Sequence, residues 1–154
     1  ARVGTMALVR FPNDVYVGSG KLAGILAESR FHSSQPDSIV MGIGVNVNGY
    51  PPDQPATSLA KECGRNLDRT EAAQYLVEAV DLWVSRLNGP IDPFCDAWRK
   101  RSGLIGKSVL IRQEGRKYSG TVLDVHCLEG VRLRLKEGGE RLFRGEYIEK
   151  VELA

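Results

Sequence analysis

The chain has 154 residues, is 42% apolar and 26% charged, and carries a formal net charge of +2. These values fit a soluble globular protein of one domain or slightly more. They give no sign of a strongly basic nucleic-acid-binding surface, Arg99-Lys100-Arg101 being only a small local cluster. No apolar run approaches the ~20 residues of a membrane-spanning helix. Three cysteines without a Cys-x-x-Cys pair, accompanied only by His32 and His126, form neither a disulfide framework nor a zinc pattern. Each cysteine is expected to be a small hydrophobe, their even spacing is taken as chance, and a reducing cytoplasm is the natural compartment.

Residues 6–9 read as a short buried strand ending at the polar corner Pro12-Asn13-Asp14. Proline removes a ladder donor and biases its predecessor to extended geometry. Residues 15–17 and 21–27 read as a hairpin about Gly18-Ser19-Gly20. Segment 31–37 is polar and serine-rich and is expected to be a loop. Segment 38–47 is a continuous apolar run with Gly42 and Gly44 inside it. It is expected to be a central strand ending near Asn46, the glycines marking a bulge or a close backbone approach.

A Pro/Gly-rich loop, 48–55, follows. Ser58 is the expected N-cap of a short helix, 59–63, which Gly64 ends. Thr70 is expected to cap the clearest helix, whose Leu76, Val77, Val80, Trp83, Val84 and Leu87 fall on one stripe. Asp92 and Pro93 open another helix with Phe94 and Trp98 facing inward. The helices are expected to cover one face of the sheet.

Past Ser102-Gly103 the pattern changes to five short strands, 107–113, 117–126, 131–136, 140–144 and 147–153. Val131, Leu133 and Leu135 alternate with Arg132, Arg134 and Lys136, the pattern of a half-buried strand. Five strands without a helix predict a small antiparallel barrel of SH3 type. The expected division is therefore 1–102 and 103–154, in an α+β chain.

The residues that carry chemistry concentrate in 10–26. Asn13, Asp14 and Lys21 are polar or charged groups in a run otherwise apolar and strand-prone, and an apolar strand pair does not need them. Taken alone, Lys21 would solubilise a strand edge and Asn13-Asp14 would satisfy their own turn. The motif Gly42-Ile43-Gly44-Val45-Asn46 lacks the third glycine of a dinucleotide fingerprint, Val47 standing there. His32 and His126 read as surface residues, and Trp83 and Trp98 as core.

Phe11-Pro12-Asn13-Asp14 followed by Lys21-Leu22-Ala23-Gly24-Ile25-Leu26 resembles the Trp-Pro-Asn-Asp and Lys-Leu-Ala-Gly-Ile-Leu signature of biotin protein ligases. Gly42-Ile43-Gly44-Val45-Asn46 resembles that family's Gly-Ile-Gly-Ile-Asn. The three motifs stand in the family's order and spacing, and the rest of the chain follows its C-terminal pattern. The resemblance implies an α+β, class II synthetase-like catalytic fold without its N-terminal portion, then an SH3-like barrel. It implies an ATP-dependent activation of biotin to biotinyl-5′-adenylate. Transfer to a lysine of a biotin carrier domain, of the acetyl-CoA carboxylase type, follows.

By that resemblance Lys21 sits beside the biotin carboxylate and the α-phosphate and is the catalytic residue. A fixed cation there offsets the approach of two anions and holds charge on the phosphoryl oxygens. Asn13 contacts the adenylate, and Asp14 lies near the phosphates as the candidate ligand for Mg²⁺ or as the orienter of Lys21. Gly42 and Gly44 allow a close approach to adenine, Asn46 offers a bidentate amide for the N6/N7 edge, and Gly24 admits biotin. ATP, biotin and Mg²⁺ are the implied small molecules, with no membrane or nucleic acid indicated and homodimerisation left open. The family's Arg/Gly-rich biotin-binding loop is absent, and the chain opens at Ala1. It is expected to be the C-terminal part of a ligase and largely inactive alone. The alternative is a non-catalytic module kept for binding or dimerisation, or a biotin-responsive regulator.

Overall fold

The computed structural model describes residues 6–32 and 35–154. Its contacts cluster in two units. One holds residues 6–7 and Asn13–Glu78; the other holds Leu8–Pro12 and Ala79–Ala154. Both carry antiparallel sheet, and with three helices the chain is α+β.

In the first unit β2 (Asp14–Val17) and β3 (Gly20–His32) are joined by a two-residue turn, with Val17 opposite Gly20. β3 then pairs along its length with β4 (Gln35–Val45), from Ala23 opposite Val45 to His32 opposite Gln35. This corrects the expected loop over 31–37. Strand pairing continues through Phe31–Pro36 behind a register shift at Arg30/Phe31, and only Ser33 and Ser34 lie outside the described residues. Proline is tolerated there because β4 has a strand neighbour on one side only among the described strands. The same fact corrects the expectation of a central strand. Ile39, Val40 and Met41 remain 69%, 60% and 43% exposed, so the apolar run is an edge left largely open among the described residues.

α1 (Leu59–Cys63) forms as expected, the Ser58 hydroxyl accepting from the Lys61 N–H and Gly64 closing the helix at φ 69°. α2 (Arg69–Arg86) is capped by Asp68 rather than Thr70, because the Asp68 carboxylate accepts from the N–H groups of Thr70 and Glu71. Those two backbone donors hold the Asp68 carboxyl below its ordinary pKa. α2 buries none of its residues; Val77, Val84 and Leu87 of the apolar stripe are each at least half exposed. The expected burial of that stripe is not realised.

The second unit is built around one apolar core. β5 (Ser108–Gln113), β6 (Arg116–His126), β7 (Gly130–Leu135), β8 (Glu140–Arg144) and β9 (Ile148–Leu153) form an antiparallel sheet in the order β8-β7-β6-β5-β9. Alternate residues point inward, so Val109, Ile111, Val125, Val131, Leu133 and Phe143 are fully buried together. The sheet is barrel-like but carries no β8–β9 ladder. Phe11, which follows the short strand β1 (Leu8–Arg10), belongs to this core and meets Trp98 edge-on at 5.9 Å.

Trp98 sits on α3 (Asp92–Arg101), whose N-cap is Ile91 and not the expected Asp92. Trp83 is 37% exposed and meets Phe94 edge-on. Cys95 of α3 is bonded to Cys127, just past β6, across a separation of 32 residues. That bond corrects the expectation that each cysteine is a free small hydrophobe. Only Cys63 is free. No described helix is long and apolar enough to cross a membrane.

Candidate functional site

The antiparallel pairing of β2 with β3 sets Asp14 opposite Gly24, which brings Asp14 and Lys21 onto one face. The Lys21 ammonium lies 2.6 Å from Asp14 Oδ1, the two side chains 37% and 25% exposed. A Cβ built on Gly24 would stand 3.2 Å from that carboxylate oxygen and 3.3 Å from the ammonium nitrogen. The glycine of the Lys-Leu-Ala-Gly run is thus what leaves room for the ion pair.

The backbone of Lys21 is held from several sides. Its N–H donates to the Pro55 carbonyl at 3.0 Å, and its carbonyl accepts from the Thr57 N–H at 3.0 Å and from Asn46 Nδ2 at 3.2 Å. Segment 55–57 therefore runs beside β3 as a short parallel bridge, Lys21 opposite Ala56. Gly20 makes this approach feasible, because a Cβ there would lie 2.9 Å from the Thr57 Cβ. Thr57 and Ser58 are each 2% exposed, and Thr57 Oγ1 donates to Glu62 of α1 at 2.5 Å. The short helix thereby anchors the segment that pins the lysine.

Asn46 follows directly on β4. Its N–H donates to the Leu22 carbonyl and its carbonyl accepts from the Leu59 N–H, both at 2.9 Å. Between these elements lies a cavity of about 340 Å³, lined by Lys21, Gly24, Gly44 and Asn46 together with Pro51 and Gln54 from the loop. That volume falls in the range of small-molecule sites. The lining residues include a lysine, an asparagine, a glutamine, two glycines and apolar side chains, residue types suited to a flat heterocycle joined to an anion.

Of the residues singled out in the sequence, Lys21, Gly24, Gly44 and Asn46 converge on this cavity, and Asp14 reaches it through Lys21. Asn13 does not line it; its Nδ2 donates to the Ile25 carbonyl at 2.7 Å while its own carbonyl accepts from the Ile25 N–H. Gly42 also stands apart from the cavity lining; a Cβ built on it would meet only the Leu26 carbonyl oxygen, at 3.7 Å. Sequence reasoning missed Pro51, Gln54 and the 55–57 segment. Their one signal was position, a Pro/Gly-rich loop between Asn46 and the Ser58 cap. The cavity lining includes no carboxylate, so Asp14 is the one carboxylate the described contacts bring to its edge.

Residues 3–46, which contain the three motifs, match the Biotin/lipoate A/B protein ligase family. Fold and motifs together relate the chain to that family. Within that class it is a relative of the biotin protein ligases. It is 29% identical over 145 residues to the biotin--[acetyl-CoA-carboxylase] ligase of Paracoccus denitrificans, covering 89% of this chain and 56% of that protein. Against the enzyme of the same name from Mycobacterium tuberculosis it is 34% identical over 109 residues, covering 70% of this chain and 39% of that one. The apo structure of biotin protein ligase from Aquifex aeolicus superposes with a TM-score of 0.77 at 25% identity. It covers 96% of this chain and 66% of that one. The chain thus spans about half the length of the curated relatives it matches.

Proposed function

We propose that this chain supplies the adenylate-holding side of a biotin protein ligase, which activates biotin with ATP and passes it to a lysine of a carrier domain. Residues 1–102 would then be the C-terminal part of the catalytic domain and 103–154 its SH3-like domain. The observation that carries the reading is the pinned Lys21, which lines one cavity with Asn46 while its ammonium pairs with Asp14 at the edge. The relative from Paracoccus denitrificans is a biotin--[acetyl-CoA-carboxylase] ligase, and the same chemistry is what these residues suit.

Attack of a carboxylate oxygen on the α-phosphorus brings two anions together and expels pyrophosphate. Lys21 lowers the repulsion and holds the charge that builds on the phosphoryl oxygens. Three hydrogen bonds fix its backbone, so only the side-chain torsions remain to be ordered. Asp14 keeps the ammonium extended toward the cavity. Asn46 presents its amide to the purine edge, the bare backbone of Gly44 leaves space beside it, and Gln54 of the loop closes the far wall. Asn13 acts by locking the strand end to Ile25. A divalent cation fits this site poorly as an all-protein complex and well as a companion of the phosphates, with Asp14 as one oxygen ligand. Bound there, it would neutralise charge on the leaving pyrophosphate.

The chain alone is proposed to bind weakly and turn over little, because a lid that excludes water completes sites of this kind. Biotin-dependent exchange of pyrophosphate into ATP by the native gene product tests the reading. Lys21→Met should lower the exchange rate by about 100-fold or more, equivalent to roughly 3 kcal/mol of transition-state stabilisation. An unchanged rate would instead favour a binding module without catalysis. Calorimetric titration of the isolated chain should show weak binding of ATP and biotin, and tight binding of both would overturn that part.

A further inference from the structure

Cys95 and Cys127 carry a feature that ligase chemistry does not use. Cys95 lies in α3 and is 4% exposed; Cys127 follows the last residue of β6 and is half-buried. Their Cα atoms are 5.2 Å apart. The half-buried His126 presents a ring nitrogen to the same point, and the three donor atoms lie within 4.8 Å of one another. His126 Nδ1 also faces the N–H groups of Leu128 and Glu129 at 3.4 and 3.3 Å, which steadies the ring without strong bonds. Two sulfurs and an imidazole are the donor set of zinc, for which three protein ligands leave a fourth position to water. The sequence conceals the set because one ligand arrives from a helix far away along the chain.

We infer that Cys95, His126 and Cys127 form a metal site gated by thiol oxidation. The disulfide excludes the ion, and the reduced pair with His126 binds a zinc-class divalent cation. A dithiol reductant donates two electrons and two protons to the S–S bond and is itself oxidised to a disulfide, leaving two thiols. Metal binding then forms two S–metal bonds and releases two S–H protons to solvent. With Zn–S bonds of about 2.3 Å in tetrahedral geometry the sulfurs must part to roughly 3.8 Å. Rotation about the two Cα–Cβ bonds reaches this from the observed Cα separation. The same two sulfurs serve one bond or the other, so the two states are mutually exclusive.

Either state ties α3 to the end of β6. The reduced, metal-free protein loses that tie but keeps the Arg99–Asp124 ion pair, with Nε 2.5 Å from Oδ1, and the packing of Trp98 on the core. The device is therefore a clasp with a covalent and a coordinate form.

The test uses cobalt(II) as a spectroscopic stand-in for zinc, on the full chain reduced with a phosphine and desalted without air. One equivalent should give a thiolate-to-cobalt charge-transfer band and tetrahedral visible bands, all lost on adding Zn²⁺. The oxidised chain should give none. Cys63→Ser should leave the bands unchanged. His126→Ala, which retains the disulfide and so reports on a folded chain, should weaken binding at least tenfold. Zn²⁺ should raise the unfolding temperature of the reduced protein but not of a Cys95→Ser/Cys127→Ser double variant. The inference is overturned if the reduced chain gives no charge-transfer band. It is equally overturned if the band persists in the double variant or in the oxidised chain, or if His126→Ala binds as tightly as the parent.

Discussion

Gly24→Val separates the stability of the first unit from the use of its lysine. A Cβ at Gly24 starts 3.2 Å from Asp14 Oδ1 and 3.3 Å from Lys21 Nζ, a few tenths of an ångström inside relaxed contact. The two γ-methyls of valine extend about 1.5 Å further, so the ammonium must move by on the order of 1 Å. The fold should lose little, because valine suits a strand. The partly exposed ion pair contributes only about 0.2–1 kcal/mol after solvent screening. That loss would lower the unfolding temperature by about 4 °C at most. Ligand binding should lose far more, since a misplacement of about 1 Å in an organised site costs on the order of 100-fold. An NMR-detected titration with a non-hydrolysable acyl-adenylate analogue reads weak affinities directly. Gly24→Val should weaken binding roughly 10- to 100-fold and Gly24→Ala less than tenfold. Parent-like affinity in Gly24→Val, with the fold intact, would refute the placement of Lys21 at the ligand.

Other expectations concern the second unit. Phe143→Ala removes a fully buried ring that meets Tyr118 at 5.0 Å, and should cost about 3–5 kcal/mol in denaturant unfolding. Gly120→Ala would set a Cβ 2.4 Å from the Arg134 carbonyl oxygen. The two strands must part, so denaturant unfolding should show a stability loss at least that of a typical overpacked site, about 1–3 kcal/mol. Burial is the largest single influence on the Asp124 carboxyl and pushes it up. The Arg99 hydrogen bond, the Val125 N–H and the charges of Arg99 and Arg132 together outweigh it and hold the group below its ordinary 3.8. A carboxyl depressed in the folded state adds stability above its ordinary value and loses it as pH falls through the folded one. Urea midpoints taken from about pH 5 down to about pH 3 should therefore drop more steeply in the parent than in Asp124→Asn.

Local grammar was legible where one residue decides one geometry. Ser58 and Gly64 bracket α1, and the Val/Leu alternation of β7 foretells its buried face. The motif spacing also foretold that Lys21 and Asn46 would meet, because a hairpin and one return strand suffice to bring them together. What stayed hidden depends on contacts distant in sequence. The apolar runs of β4 and α2 read as buried, yet Ile39 and Val77 stay more than half exposed; hydrophobic pattern reports what a surface suits, and not whether a partner is present. Phe11 sits in a ligand-binding signature but belongs to the core with Trp98 and Phe143. Gln54 and the 55–57 segment were invisible because a loop carries no periodicity, and its path is set by a glycine and by backbone hydrogen bonds. The Cys95–Cys127 pair needed α3 and the end of β6 side by side, which no spacing rule supplies.

The central claim is that an ammonium and an amide, delivered by neighbouring strands, grip an acyl-adenylate in one cavity. Mapping amide shifts on titration with the non-hydrolysable analogue tests it most directly. The account predicts that Lys21, Gly24, Gly44, Asn46 and Gln54 shift together along one saturation curve, and that Lys21→Met removes the response while lowering the unfolding temperature by no more than about 4 °C. Shifts confined to other residues, or an undiminished response in Lys21→Met, would contradict it.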